Sequence, residues 1–371
     1  VKRWIFLGLG ALLILLSITV YFVFSPSPER SKLPVVSNLP ISEDLKKILY
    51  YGSLAPSSHN AQMWKVGIRS GNELVIFHDQ SRLLPEVDPQ LREAYLSIGA
   101  FVENIVQAAQ SLGYEAQVHL ASKSSTKEIV RIQFSPLKSV QTSPSSALEA
   151  IELRHTMKEA FQTAALSEKD LKTLESISPE RMGYFPRNTE LGQYLMQGTI
   201  DAMAKQVVDN GKQEEMAEWT RISTSEAEDK KDGVTPEMMG IAGIKKVFLK
   251  IFFNKDSLIS DSYRKQTVAA TRRQAEGAAG YLVITSRDTS RSELIETGRL
   301  YERILLAATS QRIAVHTMSY LLEESPWNEE IAARLSLPGM PQFILRLGYV
   351  KDYGKPTSLR RPIDEFTFML D

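Results

Sequence analysis

Apolar residues divide the chain at its start. Trp4–Phe24 is a nearly unbroken apolar run of 21, and no charge occurs from Trp4 to Pro28. At about 1.5 Å per residue a helix over this run spans roughly 30 Å, the hydrocarbon thickness of a bilayer. Ser25-Pro26-Ser27-Pro28 would break it, and Phe22–Phe24 offer no small-x-small cleavage site. The pattern predicts an uncleaved single-pass anchor in the lipid bilayer over 4–24; the alternative is a buried core helix. Lys2 and Arg3 on one side, against Arg30 and Lys32 on the other, lean toward an extracytoplasmic body.

After a Pro- and Ser-rich tether the periodicity becomes that of a folded body. Ile41–Gly52 has helical spacing with Ser42 as N-cap, and Lys65–Arg69 and Glu73–His78 read as strands joined through Ser70-Gly71-Asn72. Leu91–Leu112 reads as a long helix closed by Gly113, and Glu115–Leu120 and Ile129–Phe134 alternate as strands. A Ser/Pro-rich break over 135–146 precedes a helix near Ala147–Arg154, a turn through Phe161, and helix from Leu166 to about Asn210. The dense charges of 212–232 predict a solvated helical face. Gly233–Phe253 is apolar, Gln266–Ala279 helical, Tyr281–Arg287 a buried strand, Glu293–Arg312 a second long helix and Gln342–Val350 a last strand. Locally paired strands with a long helix in each half predict α+β architecture and exclude a βαβ series.

Composition narrows the chemistry. With 44 basic and 44 acidic residues in 371 there is no electrostatic case for nucleic acid, and with no cysteine there is no disulfide, thiolate nucleophile or cysteine-bound metal. The five histidines are scattered, which argues against a histidine-rich metal site. Gly240–Lys246 lacks the spacing of a phosphate-binding P-loop, and Ser97-Ile98-Gly99 lacks the first glycine of a nucleophile elbow.

Four segments carry candidate chemistry. Ala55–Trp64 (APSSHNAQMW) sets small hydroxyls and two amides on a turn, suited either to a planar polar ligand or to capping local backbone. Arg154-His155-Thr156-Met157-Lys158 could converge on an anion, or be a basic helix end. Ser358–Pro362 is another basic turn, and Ala314–Ser319 carries His316, Thr317 and Met318 where the second long helix ends.

Together these resemble the nitroreductase superfamily of flavin enzymes. Ala55–Trp64 is similar to its APSxxNxQPW loop, with Met63 where proline is usual, and Arg154–Phe161 to its RxSxRxF or RxSxKxF segment, with Thr156 for serine. Leu347-Gly348-Tyr349 and Ser358–Pro362 are similar to its closing LGY and SxRRP pattern, and Leu91–Gly113 to its SxGAxxxNxxLAAxxLG helix. The resemblance touches most of 45–365. In ordinary members the arginine segment precedes the loop and two identical subunits complete each site. Here the loop comes first, so the order resembles the double-length Acg-type branch and implies an internally duplicated pseudo-dimer, possible as a monomer.

The implied division is an anchor over 1–28, a linker over 29–42, a first nitroreductase-like half over 43–146, and a second over 147–371 with a lid-like insertion near 212–253. The implied sheets are antiparallel or mixed and flanked by helices. The implied cofactor is non-covalent FMN. Arg154, Thr156, Lys158 and Arg360 would hold its phosphate, with His155, Ser358 and Arg361 in the same basic segments. Pro56, Ser57, Ser58, Asn60 and Gln62 would reach the flavin and ribityl chain, and His316, Thr317 and Met318 the far side of the ring. The flavin would pass hydride from NAD(P)H to a nitroaromatic, quinone or similar acceptor, with no catalytic side chain or metal. The alternatives are a flavin-storing protein with little turnover and a flavin-free tethered module.

Overall fold

A computed structural model describes residues 29–30, 32–121, 127–137 and 144–370. The anchor expected over 4–24 lies outside them; among the described residues no helix is long and apolar enough to cross a membrane.

The first half forms as its pattern dictates. Ser42 caps the helix Glu43–Ser53 by accepting from the Leu45 N–H. Strands β1 (Trp64–Arg69) and β2 (Glu73–His78) make an antiparallel hairpin. The helix Arg92–Ser111 follows, then β3 (Tyr114–Leu120) and β4 (Val130–Pro136), paired antiparallel. In the second half the helix Pro144–Leu153 ends at Arg154, and Arg291–Ser310 is a long helix of the same 20-residue length as Arg92–Ser111.

Three strands fall where the periodicity gave none. The stretch 166–210 is not one helix: Glu168–Glu175 and Glu190–Gln206 are separated by β5 (Met182–Pro186), which pairs with β6 (Gly280–Ser286). Ala314–Thr317 is not the end of the long helix but a strand, β7, reached through Arg312 at φ 58° and paired with β8 (Met340–Gly348). Near the C-terminus β9 (Thr367–Met369) runs parallel to β1. The sheets are therefore β3-β4-β2-β1-β9 and β5-β6-β8-β7. The C-terminal strand crosses back to complete the first half's sheet.

The charged stretch 212–232 is also not a purely solvated face. The Glu215 carboxylate accepts from the Glu86 and Val87 N–H groups at 3.0 and 3.1 Å, and Arg221 pairs with buried Asp232 at 2.8 Å. Charges that find partners between layers can be buried, and periodicity cannot see such partners.

One hydrophobic core joins the halves. The 92–111 and 291–310 helices pack face to face, with Ile98, Phe101 and Ile105 from one and Ile295, Ile304 and Ala308 from the other in the same cluster. Their closest approach is at Gly99 and Gly298, where the backbones nearly touch. A Cβ on Gly99 would lie 2.2 Å from the Ile295 oxygen, and one on Gly298 2.0 Å from the Leu96 oxygen. Trp64, the end of the polar loop, stacks on Phe101 at 4.6 Å and so ties that loop to the inter-half core.

Candidate active site

A cavity of ≈ 1220 Å³ opens where the two halves meet. Its wall takes Pro56, Ser57, Ser58, His59 and Asn60 from the first half and Arg154, His155, Thr156 and Lys158 from the second. His316 and Thr317 come from β7, and Ser358 and Arg360 from the C-terminal segment. The volume exceeds the roughly 300–1,000 Å³ of an ordinary single-ligand pocket, leaving room for a cofactor and a second molecule. Gln62, Met318 and Arg361 stand behind this wall.

The loop is held in an uncommon backbone shape. His59, Asn60 and Gln62 all take positive φ, at 51°, 53° and 54°. For residues other than glycine that costs energy unless surrounding bonds fix it. Here they do: Asn60 Nδ2 donates to the Gly233 and Leu359 carbonyls at 3.0 and 3.2 Å, and its Oδ1 accepts from Arg360 at 2.7 Å. Gln62 donates to the Lys231 carbonyl and accepts from the Arg361 N–H, both at 2.9 Å. The two amides thus latch the loop to segment 231–233 and to the C-terminal turn. Arg361 completes the clamp by donating to the Gln62 and Trp64 carbonyls and pairing with Asp79. Met318 is buried against Ile200 and Ala275, with its N–H on the Ile344 carbonyl.

The basic residues gather at one end. Arg154 and Arg360 both donate to the Leu54 carbonyl, at 2.8 and 3.1 Å, and Arg360 also reaches the Ala55 carbonyl. Both are almost fully buried, and each Nε lacks a hydrogen-bond partner. Desolvation, then the charges of Arg154 and Arg30, push the Arg360 guanidinium well below its usual range. Two buried like charges converging on one carbonyl form a site that an anion would relieve.

The nearest countercharge is Glu302, on the 291–310 helix, 3.4 Å from Arg154 Nε. Burial pushes its carboxyl up to about 7 despite Arg154. The native state therefore holds this proton between about pH 4.5 and 7 while the unfolded chain has lost it. Its contribution to stability is complete below pH 4.5 and is lost as pH rises through about 7. From the 4.5-to-about-7 displacement, Glu302→Gln should gain on the native chain by about 3 kcal/mol between pH 4.5 and 8. Urea denaturation of both proteins across that range checks this; parallel pH profiles would refute it.

Further along the wall the groups are neutral or share protons. His316 Nδ1 accepts from Arg346 Nε at 3.1 Å, which assigns the ring proton to Nε2, and burial with Arg346 and Lys158 nearby holds the imidazole well below its ordinary pKa. Desolvation and Arg346 also lower the Lys158 ammonium. Thr317 Oγ1 bonds the Tyr301 hydroxyl at 2.8 Å, and Tyr301 stacks on Phe343 at 3.9 Å, an aromatic surface beside β7. Ser57 Oγ accepts from the Gln62 N–H, and Ser58 Oγ donates to Glu93. Burial and Glu93 raise the Glu323 carboxyl well above its usual value. Burial opposes charge on Glu93 as well, but Arg92, Ser58 and Glu323 together hold it ionised. This pair, one carboxyl from each half, keeps a proton at the cavity wall.

Several of these contributors lie outside the four sequence segments, Glu93, Glu323 and Arg346 among them. Glu93 lies in the first turn of the 92–111 helix and Glu323 closes the short turn Ser319–Leu322, and neither position marks a site by itself. Arg346 had a local signal: a lone charge inside the apolar run Phe343–Leu347.

No protein-family model matches the chain. It is similar to Acg of Mycobacterium tuberculosis, named as a proposed NAD(P)H nitroreductase, at 25% identity over 329 residues, covering 86% of this chain and 94% of that one. Among solved structures, a proposed nitroreductase from Anabaena variabilis aligns over 89% of this chain and 95% of its own, with TM-score 0.45 and 11% identity. The FMN-dependent nitroreductase NfnB of Mycobacterium smegmatis, in complex with NADPH, aligns over 61% and 98%, with TM-score 0.40 and 13% identity.

Proposed function

We propose that this chain is an FMN-dependent oxidoreductase of nitroreductase type, taking hydride from NAD(P)H and delivering it to an aromatic acceptor. One observation carries the reading: the polar loop of the first half and the buried arginines of the second meet in one cavity and share the Leu54 carbonyl. The name of the M. tuberculosis relative supports it. The two halves act as a fused pseudo-dimer with one composite site, supported by the helix pair crossing at Gly99 and Gly298.

The donor set fits FMN. Arg154 and Arg360, with Ser358, Thr156 and Lys158 on the same wall, would bind the phosphate through charge-assisted hydrogen bonds. Ser57, Ser58, His316 and Thr317 would face the ring system and ribityl chain, with Asn60 and Gln62 fixing the loop rather than spending their amides on the ligand. Bound FMN supplies a two-electron carrier between donor and acceptor. The protein's own part is to grip the anion, exclude water beneath segment 233–253, and keep a proton on Glu93–Glu323 beside the acceptor.

Purified protein should be yellow, with about one FMN per chain on this reading. Arg154→Ala placed in a Glu302→Gln background leaves no buried carboxylate unpaired. It should weaken FMN binding about tenfold or more relative to Glu302→Gln alone, roughly the 1.5–3 kcal/mol of a charged hydrogen bond. A flavin titration reads this, and equal affinities would remove Arg154 from the phosphate site. The latch between the loop and 231–233 favours a second reading, flavin retention with slow turnover. Rapid bleaching of the bound flavin by NADH or NADPH would exclude it. A chain that stays colourless with added FMN would overturn both.

The same proposal holds the body to a bilayer by the apolar run 4–24. Release from membranes by an alkaline wash would count against the anchor.

A further inference from the structure

The helix Gly243–Phe252 has apolar residues on two faces. Val247 and Leu249 are buried beneath it, and Lys246 and Lys250 reach Glu237 at 3.4 and 3.6 Å on its polar side. Ile244, Phe248, Ile251 and Phe252 stand outward, 63%, 55%, 42% and 65% exposed, at the i, i+4, i+7, i+8 spacing of one helical stripe. Phe248 and Phe252 contact each other at 4.7 Å, so the stripe is continuous. Four of the nine large exposed apolar side chains among the described residues lie on these ten positions, which sets the patch apart from scattered surface residues.

The stripe borders the cavity. Ile244, Lys245 and Phe248 line it as well as facing outward, and Met203, Met216 and Met238 line the same cavity. Part of the cavity wall is thus built of adaptable apolar side chains.

We propose that the 243–252 helix seats its outer stripe in an anionic lipid surface and so admits a lipid-tailed quinone from the bilayer into the cavity that Ile244 and Phe248 border. The helix carries no acidic residue, and with Lys246 and Lys250 held on Glu237 it is Lys245, exposed beside the stripe, that offers a cation to anionic headgroups. A second copy of the chain fits less well. Four partly exposed side chains offer roughly 400 Å², about half of the ~800 Å² per partner of a stable interface. The quinone arm rests on the reductase reading above; the docking arm does not. The reaction balances as NAD(P)H, one solvent proton and quinone going to NAD(P)⁺ and hydroquinone. The nicotinamide loses a hydride, and both quinone carbonyls become hydroxyls.

The absence of cysteine allows a clean test. In the full chain, Phe252→Cys and, separately, Met369→Cys on β9 are labelled with an environment-sensitive fluorophore and reconstituted in phosphatidylglycerol-containing vesicles. The label at 252 should brighten several-fold and be quenched by lipids bearing a nitroxide on the acyl chain, while the label at 369 does neither. A label at 252 that is not quenched, or that brightens with protein concentration in the absence of lipid, overturns the docking. Ile251→Ser with Phe252→Ser, neither of which lines the cavity, should slow reduction of a prenylated quinone in vesicles at least fivefold and change a water-soluble quinone of the same ring less than twofold. Equal slowing of both, or of neither, overturns the access route. Quenching at 252 with no quinone reduced would leave docking standing and strike the reductase reading instead.

Discussion

Gly298→Val is expected to cost about 4 kcal/mol or more of stability and to empty the site between the halves. The reason is what the new side chain would meet. A Cβ at 298 lies 2.0 Å from the Leu96 oxygen, 2.8 Å from its carbonyl carbon and 3.0 Å from Gly99 Cα, all backbone atoms of the opposing helix. A side chain in the way can change rotamer; a helix backbone cannot, so the 92–111 and 291–310 helices must move apart. That separation opens the core around Phe101, Ile105, Ile295 and Ile304. It also displaces Glu93 at one end of the helix pair and Glu302 beside Arg154. Overpacking in ordinary cores costs about 1–3 kcal/mol because neighbours adjust, and here they cannot. Gly71→Ala is the control: φ is 70° but nothing lies within 4 Å, so only the left-handed penalty of about 1–2 kcal/mol applies. Denaturant midpoints order the two, and a Gly298→Val loss no greater than that of Gly71→Ala would mean the helices are not locked.

That crossing shows which parts of the fold the sequence can reveal. The long helices and the β1–β2 hairpin are legible because each buries one face, and burial of one face writes a period into the residues. Gly99 looks like an ordinary helical glycine until its partner 199 residues later is known. The missed strands fail for the same reason. β9 has three residues and exists only through its pairing with Val66–Ile68. β7 has four, in a stretch whose polar groups face the cavity. β5 is short and holds Gly183 and Pro186, both poor strand formers. In each case the stabilising partner is remote, and no local pattern records it.

The site divides in the same way. Residues set by backbone chemistry, the loop from Pro56 to Asn60 and the basic turns at Arg154 and Arg360, can be located from type and spacing, and they line the cavity. Their individual duties cannot be so read. Asn60 and Gln62 have the donors of ligand-binding amides but spend them on Gly233, Leu359 and Lys231. Arg361 differs from Arg360 by one position and points into the clamp behind the wall. Which of two adjacent arginines faces a cavity is a question of strand and turn direction.

Arg346 is the strongest example of a residue whose duty only the packing shows, and Arg346→Met is expected to destabilise the chain by about 3–5 kcal/mol. The guanidinium is fully buried, and all five of its N–H donors are used. Nε donates to His316, Nη1 to the Gln274 and Gly277 carbonyls at 2.8 and 3.0 Å, and Nη2 to the Met157 and Glu159 carbonyls at 3.1 and 2.8 Å. Phe161 lies under the plane at 3.8 Å. Burial lowers this arginine to about 10, and the carbonyl dipoles let the charge stay. Methionine fills much of the volume but leaves the imidazole and the Gln274, Met157 and Glu159 carbonyls without their donor, while Gly277 keeps only the Phe161 N–H. Lysine keeps the charge with three donors in place of a planar five, so Arg346→Lys should lose less, about 2 kcal/mol, without matching the wild type. The loss should also reach the cavity. Segment 157–161 is held to β8 through these bonds, so Lys158 and Thr156 would leave the anion site and FMN retention would fall with stability. His316 would report the change directly. Its imidazole is depressed first by burial and then by the Arg346 charge, so in a still-folded Arg346→Met its pKa should rise. Chemical denaturation measures the first effect and a histidine proton titration the second. A stable Arg346→Met with an unmoved His316 would show that the 157–161 segment is placed by something other than this arginine.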